Sequence, residues 1–377
     1  MPCRFRYIDD SDSLQALAAR LGAVGTVALD TEADSLHHYY EKVCLIQLTF
    51  DDESYIVDPL ADIDLNPLLD SLATRKLLIH GAEYDLRMLR AGYRFKPKGE
   101  VFDTMLAAQL VEGEARSLVS LVKQYLGVEL TKQKQRSDWS RRPLGDDQLT
   151  YACNDTRYLA PVAEHLEREL NRLGRLEWHR ESCRRMVKAT GTDKPPLDPD
   201  RVWRIKGLSE MDRRQLAFVR EIWRWREREA QRADLPPFKI MGNQLIIDLA
   251  LWASQDRGHQ LLPQPKLPRT CEGARLQRLE GAIRHARRMR EPKWPFYRVG
   301  ANQVRPEYGP ELETLREECA RIAAQLGVEP SLVASRKQLE AIALARPTTP
   351  STLQKAGQLM DWQTELLLPV ASKVFET

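Results

Sequence analysis

The chain has 377 residues, with 57 Lys and Arg against 54 Asp and Glu, for a formal net charge of +3. At roughly 100–200 residues per domain, that length predicts two or three domains, and 42% apolar with 29% charged residues excludes a wholly disordered chain. No run of about 18 uncharged apolar residues occurs, which excludes a membrane-spanning helix. The opening MPCRFRYIDD has no apolar stretch after its arginines, so no secretory signal is expected. Cys3, Cys44, Cys153, Cys183, Cys271 and Cys319 are scattered without a CxxC spacing. They are expected to be reduced thiols in a cytoplasmic protein, and no structural zinc site is expected. Charge is divided unevenly: residues 1–170 carry 20 basic and 28 acidic side chains, net −8, and residues 171–377 carry 37 and 26, net +11. An acidic front and a basic back suggest a cation-tolerant unit joined to a polyanion-binding one; drift of surface charge between domains explains the split equally well.

Along the first half, strand-like and helix-like segments alternate. Val27-Ala28-Leu29 is a short apolar run ending at Asp30, and residues 43–50 (VCLIQLTF) form a longer β-rich run. The acidic turn Asp51-Asp52-Glu53 and the strand Ser54–Val57 follow, so residues 43–57 read as a hairpin. Lys76–Ile79 predicts a fourth strand, and helical patterns follow around 83–91, 104–112, 117–126 and 146–170. Leu118, Leu121, Val122 and Tyr125 line one face of the third of these helices. The pattern predicts a mixed α/β sheet flanked by helices. Prolines 195, 196 and 199 break the helical pattern over 189–199, and the proline-bearing stretch 291–310 breaks it again. The expected division is a first domain over 1–188, a linker over 189–208, a helical domain over 209–290, a linker over 291–309 and a second helical domain over 310–377. The two helical segments resemble distant repeats: Leu216, Val219, Ile240, Gln244 and Leu249 fall in the same order as Leu312, Leu315, Val333, Gln338 and Ile342, with a one-residue slip.

Three short segments carry chemistry. In Leu29-Asp30-Thr31-Glu32, the carboxylates at i and i+2 of a strand share one face. Two anions that close call for a cation between them, and a divalent metal is the usual solution. In the segment His80–Leu86, where the fourth strand gives way to a helix, Asp85 falls in the first helical turn. In Tyr151-Ala152-Cys153-Asn154-Asp155, residues i and i+4 share a helix face. Each piece alone has a structural reading: a strand-end turn residue, a helix N-terminal acid, a half-buried aromatic. Their ordered combination is what favours a site.

That ordered set, Asp30 and Glu32, then Asp85, then Tyr151 and Asp155, resembles the DEDD superfamily of 3′→5′ exonucleases in its tyrosine subgroup. The position where the other subgroup has histidine is Thr150 here. Cys44–Leu48, Val101–Ala108 and Ser137–Leu144 narrow the likeness to the ribonuclease D family. The resemblance implies a ribonuclease H-like α/β fold over about residues 20–170, followed by all-α HRDC domains, which bind nucleic acid. It implies a metal-dependent 3′→5′ exoribonuclease that releases nucleoside 5′-monophosphates and trims structured RNA such as tRNA precursors, as a cytoplasmic monomer. Asp30, Glu32, Asp85 and Asp155 are the expected ligands of two Mg²⁺ or Mn²⁺ ions, with Tyr151 orienting the attacking water. By likeness to polymerase proofreading domains, Leu36 would wedge beside the terminal base and the backbone near Ala33 would meet the 3′ hydroxyl. Gln47, His80, Trp139 and Arg142 are candidate RNA contacts, each equally open to a packing role. The Arg-rich helices around 213–232 and 275–290 are candidate phosphate contacts. His37-His38 is read as loop or substrate-side rather than metal-binding, since all-oxygen sites suit Mg²⁺. A DNA 3′→5′ exonuclease and a non-catalytic RNA-binding scaffold stay open at this point, because carboxylates that engage phosphate do not read the 2′-OH.

Overall fold

The computed structural model describes residues 4–130, 134–191, 198–255, 265–296 and 309–375. Parts of both expected linkers, residues 192–197 and 297–308, lie outside the described residues. The chain forms two compact units, one from Met1–Ala33, Lys42–Asp193 and Pro306–Thr377, the other from Asp34–Glu41 and Lys194–Arg305.

The first unit opens with β1 (Phe5–Ile8), α1 (Ser11–Leu21), β2 (Thr26–Ala33), β3 (Val43–Phe50), β4 (Glu53–Val57), α2 (Asn66–Ala73), β5 (Lys76–Ile79) and α3 (Glu83–Tyr93). It continues through β6 (Val101–Asp103), α4 (Thr104–Glu112), α5 (Leu118–Leu126), α6 (Asp146–Arg157), α7 (Leu159–Arg172) and α8 (Leu176–Thr190). The six strands form one mixed sheet in the order β1-β4-β3-β2-β5-β6. β2, β3 and β4 run antiparallel in sequence, while β1, β5 and β6 join them in parallel. Apolar side chains of α1, α2 and α3 pack into one core with the sheet, and those of α4, α5 and α7 build a second. α6 lies across β2, β3 and β4.

The mixed α/β reading is matched, with two differences. β1 and β6 are only four and three residues long, too short for a period-2 pattern to register. The helix expected over 146–170 is two helices meeting at Tyr158. Pro161, in the first turn of α7, has no N–H to give the Arg157 carbonyl, so one continuous ladder cannot form there.

The second unit holds α9 (Arg213–Ala233), α10 (Pro237–Ile240), α11 (Asn243–Ala253) and α12 (Gly273–Arg288). Asp212 caps α9 and forms a reciprocal capping box with Gln215. Phe218, Ile222 and Trp225 on α9 anchor the unit's core. At the far end of α9, Asp234 is left-handed (φ 46°) and ties down the loop 34–41. Its carboxylate accepts from the Tyr39 and Tyr40 amides at 3.0 and 3.2 Å and pairs with His38 Nδ1 at 2.7 Å.

The remaining helices are α13 (Pro310–Leu326), α14 (Pro330–Val333), α15 (Arg336–Ala345), α16 (Pro350–Gly357) and α17 (Asp361–Phe375). Their long–short–medium opening repeats that of α9–α11, as the sequence suggests. Within the first unit they dock on the nuclease-like part through Arg175. This buried guanidinium donates to the carbonyls of Leu110, at the end of α4, and Leu326, at the end of α13, both at 2.6 Å. Gly113 (φ 84°) makes the approach possible, because a Cβ there would lie 2.5 Å from the Gly327 oxygen. The indoles of Trp178 and Trp362 stack beside it at 4.7 Å.

Four cysteines, Cys44, Cys183, Cys271 and Cys319, are buried free thiols as expected; Cys153, on α6, is instead disulfide-bonded.

Candidate active site

β2 places the first two acids by strand alternation, and α6 brings the third across the sheet. One carboxylate oxygen each from Asp30, Glu32 and Asp155 lies within 4.8 Å of the others. Asp85 joins from α3 by a different route. β5 pairs with β2 only as far as Ala28. Beyond that point Thr31 gives both its amide and its hydroxyl to Asp85 Oδ1, at 3.0 and 2.6 Å; Asp85 is not among the three acids whose oxygens converge, but its charge acts on Asp30 and Glu32. Tyr151, one helical turn before Asp155, hydrogen-bonds the Asp155 carboxylate.

The electrostatics follow from this crowding. Burial, then the charges of Asp85, Asp155 and Glu32, lift Asp30 well above the ordinary carboxylate range. Glu32 is lifted the same way by burial, Asp155 and Asp85. Burial pushes both Asp85 and Asp155 up to about 7. Tyr151 is raised by burial and then by the three neighbouring carboxylates, so its phenol stays protonated at neutral pH. All-oxygen, negatively charged and facing one another, these donors fit a divalent cation of the Mg²⁺ or Mn²⁺ type.

A pH dependence follows with a definite sign. A carboxyl whose folded-state pKa is raised to about 7 stabilises the fold fully below its unfolded value, near 4, and that stability is lost as pH rises through about 7. In EDTA the melting temperature is therefore expected to fall between pH 5.5 and pH 8, and Mg²⁺ to restore it at pH 8, where the ligands are free of protons. Scanning calorimetry checks this; a flat or rising profile in EDTA would contradict the buried cluster.

The other candidates are placed as follows. Gln47 is fully buried on β3, directly opposite Asp30. Ala33 ends β2 just past a slip in its pairing with β3. Leu36, in the loop of the second unit, is 44% exposed. His80 bonds the Thr104 hydroxyl at 2.9 Å, and burial holds its pKa below the ordinary value. Trp139 is fully buried, its ring centroid 6.1 Å from that of Tyr151. Arg142 is turned inward, doubly bonded to Asp58 at 2.5 and 2.6 Å and to the carbonyls of Cys44, Trp139 and Arg141. Sequence reasoning gave no role to Thr31 or Asp103. Asp103 is buried and accepts from the amides of Gly81, Ala82, Met105 and Leu106, capping the starts of both α3 and α4. The signal for it was the strand-to-helix junction Val101-Phe102-Asp103-Thr104 itself.

Residues 5–171 match the family model for a 3′-5′ exonuclease, and residues 215–258 and 311–367 each match the HRDC domain. Fold and sequence together define a 3′→5′ exonuclease with two HRDC repeats. Ribonuclease D of Gluconacetobacter diazotrophicus is 31% identical over 343 residues, 89% of this chain and 86% of that protein. Ribonuclease D of Haemophilus influenzae is 28% identical over 90% of this chain and 84% of the relative. The chain belongs to the ribonuclease D family, and it is a 3′→5′ exoribonuclease. Among solved structures, Escherichia coli RNase D superposes with a TM-score of 0.70 at 24% identity, covering 99% of both chains. The catalytic core of RRP6 from Trypanosoma brucei gives 0.62 at 26% identity over 75% of this chain and 80% of that one.

Proposed function

We propose that this exoribonuclease trims the 3′ ends of structured RNAs such as tRNA precursors, releasing nucleoside 5′-monophosphates, and that it works as a cytoplasmic monomer. The observation that carries the reading is the meeting of Asp30, Glu32 and Asp155 from β2 and α6, with Asp85 beside them and Tyr151 bonded to Asp155. In this reading the four carboxylates hold two Mg²⁺ or Mn²⁺ ions, which supply activation of the attacking water and charge relief at the leaving 3′ oxygen. Asp30, Glu32 and Asp155 would hold one ion, and Asp85 together with Asp30 would support the other. Tyr151, kept protonated, orients the attacking water as a hydrogen-bond donor. Thr31 holds Asp85 in place through its two bonds to Oδ1. Ala33, Leu36, Gln47 and His80 remain the proposed contacts to the RNA end.

The domain division is proposed as 1–188, 209–290 and 310–377 with linkers 189–208 and 291–309; the two HRDC matches support it. In it, the Arg-rich α9 and α12 contact RNA phosphates, which should make affinity fall steeply with salt.

The test is 3′-end digestion of a tRNA precursor with Mg²⁺ or Mn²⁺, alongside matched single strands of RNA and DNA. Precursor shortened from the 3′ end, with RNA preferred over DNA, is the expected outcome. Preference for the DNA strand, or no shortening of the precursor, would reject the substrate assignment.

A further inference from the structure

β2 and β3 are last paired at Ala33 and Val43, and the residues between them form an unusually long connection for neighbouring antiparallel strands. Hairpin loops usually take about 2–5 residues, so the course of this one is set from outside rather than by its own turn. Within the second unit, the end of α9 sets it. Asp234 Oδ1 accepts from the amides of Tyr39 and Tyr40 at 3.0 and 3.2 Å, and Oδ2 meets His38 Nδ1 at 2.7 Å. Around these bonds, Gln231 Nε2 donates to the Tyr39 hydroxyl at 3.0 Å, and the Lys239 ammonium lies 3.5 Å from His37 Nδ1. The Tyr39 ring packs against the unit's core. The segment's start is a turn of its own, the His37 and His38 amides donating to the Asp34 carbonyl at 2.8 and 2.9 Å. Leu36 lies on that turn, between a fully buried Asp34 and the anchored His38, and its side chain is exposed.

We propose that Asp234 is a positioning residue for the exonuclease: it fixes the segment that follows β2, so that Leu36 is presented to the 3′-terminal nucleotide. This rests on the RNA-end contact assigned to Leu36 above. Asp234 lies inside the first HRDC match, residues 215–258, so this repeat contributes to turnover by ordering a loop as well as by its own arginines. A carboxylate suits the task, because its two oxygens serve two amides and an imidazole at once. A segment ordered before RNA arrives also gives up less conformational freedom on binding.

The experiment is a double-mutant cycle on the full chain, with kcat/KM read on a single-stranded RNA in Mn²⁺. Asp234 has φ 46°, so Asp234→Gly removes the carboxylate while leaving the left-handed turn free of strain. Leu36→Ala removes the apolar contact. Each single variant is expected to lose about tenfold in kcat/KM. The double variant is expected to lose about tenfold as well, because a released segment no longer presents residue 36. Asp234→Asn, which keeps an acceptor oxygen for the two amides and tolerates the left-handed conformation, is expected to recover most of the loss. Mn²⁺ affinity, read by electron paramagnetic resonance of the free ion, is expected to match wild type throughout. Should Asp234→Gly fail to fold, His38→Ala removes one of the three bonds and gives a milder version of the same cycle. Wild-type kcat/KM in Asp234→Gly beside an impaired Leu36→Ala would overturn the inference and leave the Leu36 contact standing. So would a loss of about a hundredfold in the double variant, the additive result of a merely structural role. Weakened Mn²⁺ binding in Asp234→Gly would place its effect at the carboxylates and overturn the inference too. Wild-type kcat/KM in Leu36→Ala would remove the RNA-end contact and this inference together.

Discussion

Asp155→Ala is expected to lower RNA shortening by at least about 10³-fold while the protein stays folded. About 4 kcal/mol of transition-state stabilisation corresponds to that factor, within what a catalytic metal ion contributes. Two features make the effect large. Of the three acids whose oxygens converge, Asp155 is the one contributed by α6, so its loss leaves Asp30 and Glu32 on one strand without the carboxylate that faces them from the helix. It also removes the acceptor that holds the Tyr151 hydroxyl. Stability should move the other way. Burial and the neighbouring charge of Asp85 hold the Asp155 carboxyl up near 7, so at pH 8 the metal-free wild type keeps an anion among anions. In EDTA at pH 8 the variant should therefore melt no lower than wild type, and its loss of stability between pH 5.5 and pH 8 should be shallower. Digestion assays and calorimetry on the same preparation check both signs. Activity within tenfold of wild type would remove Asp155 from the chemistry, and a lower melting temperature in EDTA would mean its bond to Tyr151 outweighs the repulsion.

The chemistry was more legible in the sequence than its supports. Asp30 and Glu32 could be read because a strand repeats every two residues, and Tyr151 with Asp155 because a helix returns every fourth. Both rules are local, so one sequence suffices to apply them. That Asp85 meets them depends on where β5 stops, and the four residues of that strand do not announce that Thr31 will be left with a free amide. The inward turn of Arg142 is likewise a long-range fact. Asp58, its partner, lies 84 positions earlier, and nothing near either residue marks the pair. Exposure is equally hard to read from the sequence: there Trp139 is open to an RNA contact or to a packing role, and in the fold it is fully buried in one cluster with Ala152 and Cys153. The division into units shows the same limit. Chain order places residues 310–377 after the first helical segment, but Arg175 and the Trp178–Trp362 stack pack them with the nuclease-like part.

Asp103→Ala is expected to destabilise the protein by roughly 3–5 kcal/mol, well beyond the ~1 kcal/mol of an ordinary lost helix cap. A cap normally serves one helix. Asp103 serves two: Oδ1 accepts from Met105 and Leu106 at the start of α4 and from Gly81, and Oδ2 accepts from Ala82 where α3 begins. Gly81 has φ 74°, so the turn between β5 and α3 relies on this carboxylate as well as on its glycine. Removing the acid takes the shared acceptor from four amides, that of Ala82 buried and those of Gly81, Met105 and Leu106 part-buried. The consequence for activity runs through α3. That helix carries Asp85, and a shift at its first turn moves the carboxylate off Thr31. Folded Asp103→Ala protein should therefore lose about tenfold in kcat although Asp103 lies outside the carboxylate cluster, and Asp103→Asn, which keeps one acceptor oxygen, should recover part of both losses. Urea denaturation and steady-state kinetics measure them. A penalty of ~1 kcal/mol with unchanged kcat would show that Asp103 caps α4 alone and that Asp85 is held by Thr31 without its help.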